Sequence, residues 1–185
     1  MAALPSPRGG IGGLLFRNWT ANSIFFARSA VPTDLILAPP ADRPDVVPDQ
    51  PLYLYGSGFP GGKSFNSSAF SIPPDGLDGN LGRNVLRGLG AWQIDFSLNR
   101  EFRLSEGASL QLRSEAFNIF NHPNFANPSD PNTPGRLTLA PGPGFGSSTQ
   151  MLATGLSPTN AVGQLSSLFQ IGGPRSIQFA LRLRF

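Results

Sequence analysis

The chain has 185 residues, with 22 glycines, 19 prolines, no cysteine, one histidine and a formal net charge of +3. Glycine and proline together far exceed their usual ~12% share and disfavour long helices, while the missing cysteines exclude disulfide frameworks, thiolate zinc sites and cysteine nucleophiles. A charged fraction of 14% beside 39% hydrophobic and 10% aromatic residues argues against a charged disordered tail and against an ordinary cytosolic helical domain.

In chain order, the start Met1-Ala-Ala-Leu-Pro-Ser-Pro-Arg-Gly-Gly has no basic segment followed by an apolar run, so it does not read as a secretory signal. A weak strand pattern follows over 14–28, containing Phe16, Trp19, Ile24, Phe25 and Phe26. Residues 29–91 are rich in Pro, Gly, Asn and Ser and read as a long loop. Within it, Gly56-Ser-Gly58-Phe-Pro-Gly61 has dinucleotide-fingerprint spacing, but Pro60 lies inside the motif and no helix follows to present amides to a phosphate. Gly61-Gly62-Lys63-Ser64 imitates the end of a phosphate-binding loop whose first glycine position is Ser57. Asp75-Gly-Leu-Asp78-Gly-Asn80 imitates a calcium loop, yet its twelfth position is Leu86 where a bidentate Glu belongs, so a turn is expected.

The period-two signal becomes clear at 92–102, where Trp92, Ile94, Phe96, Leu98, Arg100 and Phe102 alternate with Gln93, Asp95, Ser97, Asn99 and Glu101. A short connector, Arg103-Leu-Ser-Glu-Gly107, suits a hairpin. The next run, 108–119, sets Leu110, Leu112, Ser114 and Ala116 opposite Gln111, Arg113 and Glu115, with the parity breaking at Phe117 and Ile119; the alternation favours a strand over a helix capped near Ser105. Residues 120–174 form a second long loop, where Asp130 and Asn132 belong to a Pro-rich turn. His122 has no distinctive nucleophile or orienting partner and reads as an interface residue, and no enzyme activity or cofactor is expected. The run 175–185 alternates again, with Ile177, Phe179, Leu181, Leu183 and Phe185 on one face and Gln178, Ala180, Arg182 and Arg184 on the other.

The expected fold is all-β, with antiparallel amphipathic strands. A tilted strand crosses the hydrocarbon in about 9–11 residues, which the runs 92–102 and 175–185 match. Short turns on one side and long loops on the other are the rule in transmembrane barrels, whereas such loops sit poorly in a compact soluble domain. The alternative is a soluble secreted β-sandwich binding carbohydrate or a surface partner, which requires the apolar faces to pack against each other. The basic residues, 13 Arg and one Lys, are scattered singly, so no nucleic-acid partner is expected, and no apolar run is long enough for a membrane-spanning helix.

Three stretches carry a family resemblance: Leu81-Gly-Arg-Asn-Val-Leu-Arg-Gly88, Ala91-Trp-Gln-Ile-Asp-Phe96 and Leu110-Gln-Leu-Arg-Ser-Glu-Ala-Phe-Asn-Ile-Phe-Asn-His-Pro-Asn-Phe125. With the ending Pro174-Arg-Ser-Ile-Gln-Phe-Ala-Leu-Arg-Leu-Arg-Phe185, they resemble the carboxyl-terminal barrel of TonB-dependent outer-membrane receptors, in particular members with an amino-terminal carboxypeptidase-regulatory-like domain. The resemblance implies a 22-stranded, plugged barrel that takes up a nutrient with energy passed on by TonB. About four strands are legible, too few to close a barrel. The chain therefore reads as the last part of an incomplete barrel, with strands at about 14–28, 92–102, 108–119 and 175–185 and external loops at 29–91 and 120–174. It reads as a fragment or as a reading frame begun at an internal Met.

The partners this implies are outer-membrane lipid, the barrel-assembly machinery, the rest of the barrel and plug, and TonB only through an amino-terminal part. Ile177, Phe179, Leu181, Leu183 and Phe185 resemble the assembly signal with which such barrels end. Asp95, Glu101, Arg113 and Glu115 are candidates for the lumen face, either lining a substrate path or forming cross-strand ion pairs. Trp92 and Phe102 bracket the apolar band and are placed near opposite membrane interfaces, unless they pack in an ordinary core.

Overall fold

The computed structural model describes residues 2–3, 17–37, 42–74, 77–129, 136–140, 142, 144–156 and 171–185. In chain order the strands are β1 (Ala2–Ala3), β2 (Trp19–Arg28), β3 (Asp34–Ile36), β4 (Asp45–Val46), β5 (Tyr53–Tyr55), β6 (Lys63–Phe65), β7 (Phe70–Ser71), β8 (Ala91–Arg103), β9 (Ser109–Phe117), β10 (Arg136–Thr138) and β11 (Ser176–Arg184). Among the described residues there is one short α-helix, α1 (Leu152–Gly155), and two 3-10 turns, Pro60–Gly62 and Ser67–Ala69. The chain divides into two compact units.

The first unit takes in the described residues of Met1–Phe26, Trp92–His122 and Pro174–Phe185. Its sheet has five strands in the order β1-β2-β8-β9-β11. β9 runs antiparallel to both β8 and β11, with Phe96 opposite Ala116 on one side and Ile177 opposite Ala116 on the other. β2, β8, β9 and β11 have 10, 13, 9 and 9 residues, near the ~9–11 that a tilted spanning strand needs. The tight connection between β8 and β9 is closed by Leu104 and Ser105, whose amides donate to the Ala108 carbonyl at 2.9 and 3.2 Å.

Two strand ends differ from the sequence pattern. The first long strand begins at Trp19; positions 14–16 of the expected strand lie outside the described residues. The strand expected over 108–119 stops at Phe117, because Asn118 adopts a left-handed φ of 48°. Asparagine tolerates that conformation better than most residues since its short amide bonds locally. Here the Asn118 side chain clasps its own turn, accepting from the His122 amide at 3.0 Å and donating to the His122 carbonyl at 2.8 Å.

The second unit comprises the described residues of Ala27–Ala91 and Pro123–Gly173. Here the structure departs from the expectation of two long loops: these segments fold around a core of their own. Leu35, Phe65, Ala69, Phe70, Leu81, Leu86 and Leu137 are buried together, with Leu52, Tyr53 and Phe145 packed against them. β3 pairs with β10 in parallel, and β4–β7 and β5–β6 pair antiparallel. These strands have only two or three residues, too few for alternation to show in the sequence. Gly146 is required where it stands: its φ is +70°, Phe65 donates to its carbonyl at 3.1 Å, and a Cβ there meets the Phe65 Cβ at 2.5 Å.

Candidate functional site

The pairing registers sort the side chains of β8, β9 and β11 into two faces. Pairs Leu98–Ser114, Arg100–Leu112 and Phe102–Leu110 continue across β9 into Phe179, Leu181 and Leu183, and directly paired residues point the same way. The opposite face carries Ser97–Glu115, Asn99–Arg113 and Glu101–Gln111, continued by Gln178, Ala180 and Arg182. One side of the sheet is thus mainly apolar and the other polar over the paired length of the three strands.

Among the described residues nothing covers the apolar side chains of β11. Phe179 is 75% and Leu181 70% exposed, and Ile177, Leu183 and Phe185 are exposed as well. A soluble sandwich buries this face against a second sheet, and no such sheet lies over β11 among the described residues. Exposed alternating apolar residues opposite a polar wall are the arrangement that lipid on one side and water on the other stabilise. Among the described residues no helix is long and apolar enough to cross a membrane.

Arg100 is the one charge that alternation sets on the apolar face of β8, and it is only 7% exposed. Its guanidinium lies 4.1 Å from the Phe102 ring centre and 5.3 Å from that of Trp19. Stacking between rings that carry negative potential on their faces lets a cation reside on such a surface. This cluster lies at the end of β8 that leads into the tight connection to β9.

On the polar face the structure brings the four charged candidates onto one wall but does not pair them across strands. Arg113 bonds Glu115 along its own strand. Glu101 forms no ion pair among the described residues. Asp95 instead organises the end of the wall: its Oδ1 accepts from Gln93 Nε2 and from the Asn118 amide, both at 2.9 Å. Gln93 and Asn118, each 1% exposed, are key residues of this wall that sequence reasoning missed. The available signal was a Gln-x-Asp pair on the polar parity followed by an asparagine-rich break.

His122 belongs to an aromatic group, its ring centre 4.2 Å from that of Trp92, with Phe120 on Trp92 at 6.5 Å. Trp92 and Phe102 lie near opposite ends of the same strand, as the sequence pattern requires.

The glycine motifs resolve as a hairpin loop in the second unit. Gly56 donates to the Gly62 carbonyl at 3.1 Å, closing the β5–β6 connection, and Gly61 and Gly62 take φ of 70° and 75°. Lys63 donates to the Arg87 carbonyl at 2.8 Å and lies over the Tyr53 ring. Burial lowers the pKa of its ammonium below the ordinary lysine value by disfavouring the charged form. The lysine anchors a loop and does not face a phosphate cradle. Asp78 and Asn80 likewise bond outward, Asp78 to the Asp42 amide and Arg43, and Asn80 Oδ1 to the Val46 amide at 2.8 Å. Asp75, Gly76, Asp130 and Asn132 lie outside the described residues, among which no metal-type cluster occurs.

Compared with known proteins, residues 2–178 match the model of an outer membrane beta barrel domain. No curated protein and no solved structure matches the chain. The family match agrees with the two-faced antiparallel sheet, left open at its edges among the described residues, and the chain therefore belongs to the outer membrane beta barrel domain family and resides in the bacterial outer membrane.

Proposed function

We propose that this chain supplies barrel strands of a TonB-dependent outer-membrane receptor that takes up a nutrient. The observation that carries the reading is the folded insertion: β2 and β8 are neighbours in the sheet although residues 29–90 separate them in the chain, and that insertion shares one core with residues such as Leu137 of the later segment. A plain diffusion pore has no need of such a unit, whereas a receptor needs ordered surface with which to select a ligand. The polar wall carrying Asp95, Glu101, Arg113 and Glu115 then faces the lumen, and the apolar wall faces lipid. Five strands are fewer than the roughly eight that the smallest membrane barrels use, so further strands complete the barrel in this reading. TonB contact belongs to a part of the receptor other than these strands, and the reading assigns no catalysis.

Tagging the protein at its native locus and cross-linking living cells tests this. Recovery of a covalent adduct with TonB is expected. Recovery of the outer-membrane protein from cross-linked cells without TonB, under nutrient limitation as well as in rich medium, contradicts it.

A further inference from the structure

The second unit is made of two stretches of chain, the described residues of 27–91 and of 123–173, and its bonds run repeatedly from one to the other. β3 of the first stretch pairs with β10 of the second, and the Leu139 amide extends that pairing to the Ile36 carbonyl at 2.9 Å. The buried Ser64 hydroxyl donates to the Phe145 carbonyl at 3.1 Å and accepts from the Ser147 hydroxyl at 2.9 Å. Leu137 of the second stretch lies in one buried cluster with Leu35 and Phe65 of the first. Asn127 adds a clasp: its Oδ1 accepts from the Leu89 amide at 3.1 Å, and its Nδ2 donates to the Val31 and Pro32 carbonyls at 3.4 and 3.3 Å. One side chain of the second stretch thus holds two points of the first, which the Gly88 amide also joins through the Val31 carbonyl at 2.9 Å. A Cβ on Gly88 would overlap the Asn127 amide, so only glycine leaves room for the clasp.

We propose that the two stretches open and close as one cooperative body, with Asn127 as its latch. The pieces that each stretch keeps by itself are small: the β4–β7 and β5–β6 pairs of two and three residues in the first, and a four-residue helix in the second. Pieces of that size are marginal in water alone. Peeling β10 from β3 uncovers Leu35, Phe65 and Leu137 together, so the cost of opening falls on both stretches at once. A ligand that orders either stretch therefore orders the other. That consequence rests on the receptor reading, where it makes the ligand-selecting surface respond as a whole, while the coupling itself is measured without ligand or TonB.

The test is backbone hydrogen exchange of the purified full chain in detergent micelles, read by mass spectrometry. The first stretch is followed at the Val47 and Leu81 amides, bonded to the Ala69 and Pro44 carbonyls, and the second at the Ala126 and Leu152 amides, bonded to the Gln150 and Asn124 carbonyls. Each of these bonds stays within its own stretch, so a shared response reports coupling. In the unsubstituted chain, rising urea is expected to bring both sets onto a single opening equilibrium. Asn127→Ala in one stretch and Gly88→Ala in the other should each speed exchange roughly tenfold in both sets and leave the β8–β9 hairpin unchanged. Acceleration confined to the substituted stretch, or found in neither, overturns the proposal. So do two separate opening equilibria in the unsubstituted chain, an outcome that needs no variant to fold. A single equilibrium without a TonB adduct removes the receptor reading and leaves the coupled body, and a TonB adduct with two equilibria does the reverse.

Discussion

Three residues carry loads that single substitutions can weigh. Asp95 accepts from both Gln93 and Asn118 where the polar wall meets the turn after β9. Asp95→Ala is expected to destabilise the protein by about 1–3 kcal/mol, read as a lower urea midpoint in lipid vesicles, with Asp95→Asn in between because its amide oxygen keeps one acceptor. Thr33 is the converse case, a buried hydroxyl with no hydrogen-bond partner among the described residues. Thr33→Val preserves shape and removes the unmet group, so the chain should gain about 1 kcal/mol in the same titration; a loss of stability instead means that the hydroxyl has a partner. Phe185, fully exposed just beyond β11, follows four apolar residues spaced by two. We expect its deletion in cells to lower the amount assembled in the outer membrane far more than Phe179→Leu does, and equal amounts reduce it to a packing residue.

At the scale of elements, β11 offers the sharpest contrast between faces. Leu181→Arg places a cation on the apolar face and should cost about 2–4 kcal/mol if the position lies near the bilayer midplane, whereas Gln178→Arg on the polar face should cost close to nothing. Vesicle unfolding titrations of the two variants compare them, and equal costs contradict the assignment of faces. The same alternation explains what could be read in advance. The strands around 92–102, 108–119 and 175–185 were legible because period two persists through 13, 9 and 9 residues of β8, β9 and β11. The second unit was not legible, since its order depends on strands of two or three residues and on long-range contacts such as Phe65 with Gly146. Asp95 was legible as a polar-face residue, but its bonds to Gln93 and Asn118 depend on a turn geometry that spacing does not encode. Arg100 fell in the right parity for the apolar face, but the stacking of Trp19 and Phe102 on its guanidinium is a packing contact that spacing does not encode.

For the molecule as a whole, the five-stranded sheet leaves the outer edge of β11 without a strand partner among the described residues. A long exposed edge beside an apolar face is an aggregation hazard in water and an assembly surface in a membrane barrel, where further strands and lipid cover both. That one face of the sheet meets lipid and the other water is the claim on which the receptor reading depends. The chain contains no cysteine, so single cysteines can be placed from Ile177 to Arg184 and spin-labelled after insertion into lipid vesicles. Collision with oxygen, which concentrates in lipid, and with a water-soluble nickel chelate should then alternate residue by residue. Labels at positions 177, 179, 181 and 183 are predicted to favour oxygen and those at 178, 180, 182 and 184 the chelate; uniform accessibility along the strand, or the opposite phase, contradicts a lipid-facing sheet.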